Sequence, residues 1–409
     1  MTFKPTMTEP PIKRKMDDVK LRVLCLDIEG GYGGSSRSLY ESIAHIDKSR
    51  VDVEVWCKRF GPIQTKYTAI NIPVSVQDKM PKISSLPRFS RNLFVFSQFA
   101  VHWLSTAVFR KQLVKASHSF DIVHFNHESL FLLAQWLKPR TAAKLSMHIR
   151  TNLYGTSFCR WQNRTIANNI EQLVFITENE RHTFNHLAGS NKKDTVIYNI
   201  VVPEDPNPHT NIPNDNRFKI ACLSNYAWVR GVDRTAEIAV ALRARNCRNI
   251  QFVMAGDMTL SHSLPGELGK TARAGGSFRE YVEKIGVSDM FHFLGHVSDP
   301  ERVLASCDAL IKPTREANPW GRDIIESLAV GKPVISIGTY NTFVKDRVSG
   351  ILLEKFEAAE MARRIVELAD NRELATKLGQ AGRENVIQLC DGAARAQDLL
   401  GVWEGLVNQ

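Results

Sequence analysis

The sequence predicts an α/β protein of two doubly wound domains, and three observations carry that prediction. Short β-rich runs alternate with helix-spaced runs along nearly all of the 409 residues. The alternation breaks once, at residues 203–216, PEDPNPHTNIPNDN, which hold four prolines and no apolar periodicity. No short-period repeat underlies either half, which excludes a solenoid or propeller. Alternation of this kind argues for parallel strands joined by crossover helices, with helices on both faces of each sheet.

Along the first half, Leu21 to Ile28 reads as a strand that ends in a glycine-rich turn, and Arg37 to His45 as the helix after it. Val51 to Cys57, Ile122 to Phe125, Leu145 to Ile149 and Leu173 to Thr177 read as further strands, because β-branched and aromatic residues cluster there between turn residues. The proline-rich segment reads as a linker or exposed loop. Beyond it, Phe218 to Leu223, Ile250 to Ala255, Phe291 to Leu294, Ala309 to Lys312 and Pro333 to Ile337 read as strands. Arg234 to Arg245, Asp323 to Val330 and Ala358 to Ala369 carry apolar residues at helical spacing. Ligands of such sheets bind outside the carboxyl ends of the strands, so candidate chemistry is sought in the turns that follow them.

Composition bounds the function. Hydrophobic residues make up 43% and charged residues 23%, which excludes a disordered or collagen-like chain. The net charge of +10 is unevenly placed: residues 1–200 carry +12 and residues 201–409 carry −2. A basic front half suits phosphates, an anionic membrane or nucleic acid, with a merely solvated surface as the alternative. The seven cysteines form no CxxC pair and read as core thiols in a reducing compartment, not a disulfide frame or a zinc site. Residues 1–20 are polar, without the apolar core of a signal peptide. The longest apolar stretch, Leu93 to Phe109, is interrupted by Ser97, Gln98, His102, Ser105 and Thr106, too polar for a membrane span.

Two segments carry candidate chemistry. Gly30-Gly31-Tyr32-Gly33-Gly34-Ser35-Ser36 joins the first strand to the first helix. Glycines there let backbone N–H groups approach a phosphate, and the helix N-terminus adds partial positive charge. No Gly-Lys-Ser/Thr follows, so this is not a Walker A loop, and a tight strand-to-helix turn is the alternative. The second segment runs from Arg315 through Asn318-Pro319-Trp320-Gly321-Arg322-Asp323 to Glu326, then into Gly331-Lys332-Pro333. Backbone N–H groups around Trp320 to Asp323 stand at a helix start, where they can meet a sugar or phosphate. A carboxylate at Glu326 can accept two hydroxyls of a ribose; an acidic helix face is the alternative.

At this segment the chain resembles the carboxyl-terminal domain of retaining GT-B glycosyltransferases of family 4. Asn318-Pro319-Trp320-Gly321 stands where the family has Glu-Pro-Phe-Gly, and Glu326 matches its second glutamate. Val344 to Leu353 resembles V-x-D-G-x-x-G-L-L, and Leu378 to Arg383 resembles L-G-x-A-G-R. Phe293-Leu294-Gly295 and Ala255-Gly256-Asp257 match two further markers. The front half agrees more loosely, at Gly33-Gly34, Asp121 to His124, His148 and Val196 to Asn199. The resemblance implies a GT-B fold, two Rossmann-like domains facing a central cleft. It places an acceptor-side domain over 21–202, a linker over 203–217 and a nucleotide-sugar domain over 218–390. Residues 1–20 would be a disordered tail, and 391–409 a helix packed back on the first domain.

The resemblance also implies roles. Glu326 would hold the donor ribose. Arg230 would bind the diphosphate and stabilise the leaving group, and Gly33 and Gly34 would bring backbone N–H groups toward it. Trp320, Gly321 and Arg322 would complete the donor site. His148 would lie near the transferred sugar, and Asn318 would contact sugar hydroxyls. No metal and no cofactor is implied; the donor is a nucleoside-diphosphate sugar. There are departures. Asn318 replaces the first glutamate unless Glu316 substitutes for it, and no basic residue stands at Ser224 or Asn225, where the family has an arginine. Residues 259–276 look longer than the usual connection and read as a mobile flap.

The acceptor side is read from residues 79–115. These mix Lys79, Lys82, Arg88, Arg91, Arg110, Lys111 and Lys115 with Leu86, Phe89, Phe94, Phe96, Phe99, Trp103 and Phe109. Basic and aromatic residues together suit an anionic membrane interface; a core helix with basic ends is the alternative. The expectation is a peripheral cytoplasmic enzyme at the inner face of the cell membrane, with a glycan or lipid-linked acceptor in envelope polysaccharide or glycolipid synthesis. A weakened transferase-like scaffold and a sugar-nucleotide epimerase are the alternatives. Nucleic acid is not expected as a partner, because no recognition-helix or RNA-binding signature is present.

Overall fold

The computed structural model describes residues 20–31, 33–82, 101–152, 155–189, 194–203, 205–223, 226, 228–257 and 259–408. The expectations for residues 1–19, Tyr32, Leu86, Arg88, Phe89, Arg91, Phe94, Phe96, Phe99, Ser224 and Asn225 lie outside the described residues. The chain divides into two compact units, one of residues 1–197 with 396–409, the other of residues 198–395.

In the first unit seven strands form one sheet: β1 (Leu21–Asp27), β2 (Val51–Cys57), β3 (Val74–Val76), β4 (Ile122–Phe125), β5 (Lys144–Ile149), β6 (Gln172–Phe175) and β7 (Asp194–Val196). The order is β3-β2-β1-β4-β5-β6-β7, and every pairing is parallel. Leu24, Leu26, Val123, Phe125, Leu145 and Met147 meet the flanking helices in one apolar core. The residues from Ala396 onward, in the helix Gly392–Val407, belong to this unit. Arg50, just before β2, bonds Glu404 with its Nε at 3.0 Å, and Trp403 is fully buried.

The second unit holds β8 (Phe218–Leu223), β9 (Ile250–Ala255), β10 (Phe291–Gly295), β11 (Ala309–Lys312), β12 (Val334–Ile337) and β13 (Gly350–Leu353). Its order is β10-β9-β8-β11-β12-β13, again all parallel. Alternate strand residues feed two cores. Ile220, Phe252, Met254, Ile311 and Ile335 face one layer of helices; Ala221, Val253, Ala255, Leu310 and Val334 face the other. Strands covered on both faces read as continuous apolar runs, which is why they stood out in the sequence.

Several expectations change. The proline-rich segment, read as a linker or exposed loop, is a mostly exposed loop anchored on the second unit: Ile212 is buried in its core, His209 N donates to Ser306 Oγ at 2.7 Å, and Arg302 reaches the Asn207 and Pro208 carbonyls. The expected flap at 259–276 is packed structure. It contains the helix Gly266–Arg273, and Leu260, Leu264, Leu268 and Ala272 are core residues. Arg110, expected to face a membrane, is buried. Its guanidinium bonds Thr106 Oγ1 and the Trp103 carbonyl and lies over the Trp103 and Trp136 rings, so cation–π contact outweighs hydration there. Phe109 is likewise a core residue.

The L-G-x-A-G-R stretch has a packing reason. The helix Arg372–Leu389 lies against the helix Arg322–Ala329 and the turn after it. A Cβ on Gly379 would come within 2.0 Å of the Gly331 carbonyl oxygen, so this contact closes only with glycine. Gly379→Ala is therefore expected to destabilise the protein by about 1–3 kcal/mol, as overpacking does. Gly401, exposed on the last helix with no atom near its absent Cβ, is expected to gain up to about 1 kcal/mol on replacement by Ala, from helix propensity. Urea unfolding of the two variants measures both signs.

Candidate functional site

Both sheets change direction beside their first strand. The switch lies between β1 and β4 in one unit and between β8 and β11 in the other. Crevices at the carboxyl ends of such strand pairs are where doubly wound sheets bind ligands.

In the second unit, the turn Trp228–Arg230 after β8 is clamped to the loop 313–321 after β11. Arg315 N and Thr314 Oγ1 both donate to the Val229 carbonyl, at 2.9 Å each. Arg315 grips Asp233 with both terminal nitrogens, at 2.7 and 2.5 Å, and lies over the Trp228 ring. Arg234 bonds the Pro313 and Thr314 carbonyls. Gly231 makes the clamp possible: its φ is +78°, and a Cβ would sit 2.1 Å from the Pro313 oxygen.

Arg230 ends this turn with its side chain 41% exposed and its guanidinium Nη1 3.4 Å from Glu316 Oε2. The same carboxylate oxygen accepts from Asn318 Nδ2 at 3.3 Å. Asn318 therefore sits beside Glu316, so a negative charge remains next to the position where the expected glutamate is missing. Asn318 Oδ1 is buried and has no hydrogen-bond partner among the described residues.

Gly321 opens the helix Arg322–Ala329. Trp320, expected at the donor site, has its indole in the core edge-on to Tyr340, so only its backbone is available to a ligand. Arg322, largely buried, and Glu326, buried, form a pair, Nε to Oε1 at 2.9 Å, and Arg322 also reaches the Ile200 carbonyl. The sequence reading missed Lys312. It is buried at the end of β11 and donates to the Trp320 carbonyl at 2.6 Å and to Asp323 Oδ1 at 3.1 Å. Its signal was a lone lysine closing an apolar strand. Arg230, Lys312, Asp323, Cys222 and Tyr226 help to line a small cavity of about 30 Å³, room for water but not for a nucleotide. A larger ligand would lie over this edge.

In the first unit, Gly33 and Gly34 lead into the helix Gly34–His45. A Cβ on either would meet nothing within 4 Å, which leaves their backbone open to approach. Asp27 closes β1, fully buried, and accepts from Asn126 Nδ2 at 3.1 Å. Burial raises its carboxyl, partly offset by Ser36, Asn126 and Arg150. Arg150 holds the loop after β4 through the Asn126 carbonyl and Oδ1, at 2.8 and 2.6 Å.

His148 lies near the end of β5, almost wholly buried. His124 Nε2 is 2.8 Å from His148 Nδ1, and His124 Nδ1 is 3.1 Å from Ser146 Oγ. Ser146 is His124's register partner, and His148 follows it by two, so all three side chains share one sheet face. Burial, then the Arg150 charge, pushes His124 down to about 3 and His148 well below the usual imidazole range. Both rings are neutral near pH 7. Asp27, Asn126 and Arg150 were also missed, and His124 entered only as the end of the Asp121–His124 match; the local signals for the others were Asp27 at a strand end and a basic residue two after His148.

The neutral histidines give stability a sign. With the folded pKa depressed, the unfolded chain binds the proton first, near 6.5, so acidification through that value favours unfolding. His127 adds to this, since burial lowers it too. Asp27 works the other way, from about pH 3.8 up to its raised folded value. Thermal stability is expected to fall between pH 6.5 and 4.5, by up to about 1.4 kcal/mol per unit for each buried histidine. His148→Asn is expected to show a shallower fall in melts over that range.

Two family models match the chain. That for glycosyltransferase family 4 covers residues 32–205, and that for glycosyl transferases group 1 covers residues 204–385. Among curated proteins, the chain is similar to the lipopolysaccharide core biosynthesis glycosyltransferase LpsE of Rhizobium meliloti, 30% identical over 25% of this chain and 31% of that protein. It is also similar to the poly(ribitol-phosphate) alpha-N-acetylglucosaminyltransferase of Staphylococcus aureus, 26% identical over 28% of this chain and 23% of that protein. These matches span about a third or less of those relatives' lengths. Among solved structures, HepE of Anabaena in complex with UDP superposes with a TM-score of 0.73 at 18% identity, covering 94% of this chain and all of that one. The fold is GT-B, and the chain belongs to the group 1 glycosyltransferases.

Proposed function

We propose that the protein transfers a sugar, with retained anomeric configuration, from a nucleoside-diphosphate sugar to a glycan or lipid-linked acceptor in envelope polysaccharide or glycolipid synthesis. The observation that carries this reading is the half-exposed Arg230 on a rigid turn at the second sheet's switch point, with Glu316 and Asn318 beside it. A cation held on a clamped backbone suits a diphosphate, and it stabilises the charge that develops on the leaving group. Backbone N–H groups at the start of the helix Arg322–Ala329 supply further donors. Glu326, oriented by Arg322, accepts ribose hydroxyls, and Asn318 offers its orphaned Oδ1 to a sugar hydroxyl. From the first unit, the Gly33–Gly34 turn offers open backbone, and neutral His148 faces the transferred sugar. The UDP and UDP-glucose complexes of HepE and the polymer-modifying and lipopolysaccharide relatives support the same choice of donor and acceptor.

The reading includes contact with an anionic membrane. Val101, Leu104 and Val108 are exposed, and Lys111 and Lys115 continue the same three- and four-residue spacing. That stripe joins an apolar half to a basic half, as interfacial helices do. Among the described residues no helix is long and apolar enough to cross a membrane.

A thermal-shift screen with UDP, GDP, ADP, CDP and TDP tests the donor site. One of these at about 100 times its dissociation constant is expected to add about 2.7 kcal/mol of stability. Arg230→Gln should leave the unliganded melting temperature unchanged, since its ion pair is long and half-exposed, and should abolish most of the shift. If no diphosphate moves the wild-type melt, the donor reading fails. For the membrane, wild type is expected to pellet with phosphatidylserine-containing vesicles, and Leu104→Glu with Val108→Glu to stay in the supernatant. Equal pelleting of the two overturns that part.

A further inference from the structure

We infer that Trp403 and His124 fix the tautomer of His148, so that its ring presents an Nε2–H donor and not a lone pair. This rests on the reading that His148 faces the transferred sugar. The argument follows the protons along one buried chain. An indole N–H can only donate. Trp403 Nε1 lies 3.4 Å from His124 Nδ1, so that nitrogen is the acceptor. A neutral imidazole carries one proton, which His124 therefore holds on Nε2. From there it donates across 2.8 Å to His148 Nδ1. His148, also neutral, then carries its own proton on Nε2.

The opposite polarity is available to the same rings. Ser146 Oγ, 3.1 Å from His124 Nδ1, can accept as well as donate. If His124 carried its proton on Nδ1 and gave it to Ser146, its Nε2 would accept from His148 Nδ1–H. His148 Nε2 would then be a lone pair, the form of a general base. Trp403 forbids this arrangement, because two N–H groups would face each other in a buried space. The rings leave little room to escape: His124 meets His148 edge-on at 4.9 Å and Trp403 at 5.4 Å, and His124 and Trp403 are both fully buried. The last helix thus acts at a distance on His148, through a neighbour that need not touch substrate. Trp403 and His124 are positioning residues.

The consequence is chemical. An Nε2–H can hydrogen-bond a sugar hydroxyl or ring substituent oxygen and hold the donor, but it cannot remove a proton from the acceptor. The acceptor's proton would have to leave by another route.

Nitrogen-15 NMR of the full chain, labelled at histidine, reads the tautomer directly. Wild-type His148 is expected to be protonated at Nε2 and bare at Nδ1. Trp403→Phe keeps an aromatic ring but removes the donor, and is expected to admit the Nδ1-protonated form of His148. Its kcat is expected to fall by up to the roughly 100- to 1000-fold that losing one positioned donor costs, with KM for the donor held within about twofold. Adding Ser146→Ala to Trp403→Phe removes the alternative acceptor, which leaves a proton on His124 Nδ1 buried and unpaired. The double variant is expected to recover the Nε2 tautomer and most of kcat, a rescue that a packing role for Trp403 would not produce. Wild-type His148 protonated at Nδ1, or an unchanged His148 tautomer in Trp403→Phe, would overturn the inference whether or not the variant folds as well as wild type. Absence of any transferase turnover in wild type would instead defeat the functional reading, and leave the tautomer result standing.

Discussion

A parallel sheet whose two faces are both covered can show polar groups to a ligand only at its ends, and this chain contains two such sheets. The apolar alternation of β8, β9, β11 and β12 into two core layers gives the strand interiors mainly to packing. Reactive side chains therefore gather at carboxyl ends: Asp27, His148 and Arg150 in one unit, Arg230, Lys312 and Asp323 in the other. A ligand site built this way needs its loops held, since loops are otherwise the mobile parts of a fold. The clamp between Thr314–Arg315 and Val229–Asp233 does this with backbone and charge-assisted bonds. His124 and Ser146 break the rule by standing inside strands, fully buried. They persist because each has a partner, and a buried polar network with every member satisfied is rigid.

How far the sequence discloses this depends on how local each cause is. Strand runs such as Ile122–Phe125 and Ile250–Ala255 were legible to the residue, because burial on both faces writes itself as a largely apolar run. The three-residue edge strands β3 and β7 were not, because so short a run has no period. The orders of motifs around Gly321–Glu326 and Leu378–Arg383 were legible through resemblance, and the structure gives the second a cause in helix packing that has nothing to do with ligands. Trp403 could not be read as a partner of His124: 279 residues separate them, and the Asp121–His124 match says nothing about the last helix. Arg110 was misread because a basic residue among aromatics looks alike on paper whether the rings stack on it inside or line a membrane face. Only the placement of Trp103 and Trp136 around it decides.

The edge formed by Arg230 and the start of the helix Arg322–Ala329 holds two arginine–carboxylate pairs that differ in what a ligand would have to displace. Arg230 meets Glu316 at 3.4 Å with much of its side chain in water. Such pairs contribute about 0–1 kcal/mol, so an incoming diphosphate can take the arginine at small cost. Glu316, once released, stays beside Asn318 and keeps a negative charge where the replaced glutamate would have had one. Arg322 and Glu326 are another matter, both nearly buried and 2.9 Å apart. Separating a buried pair costs about 3–5 kcal/mol, more than one ribose contact returns. A hydroxyl that meets Glu326 would therefore do so with the pair intact, and Arg322 serves to aim the carboxylate. Under the proposed reading, substituting Arg230 removes a ligand contact, whereas substituting Glu326 also breaks its pair with the largely buried Arg322. For that reason the loss of nucleotide binding without loss of fold is diagnostic at Arg230 and ambiguous at Glu326.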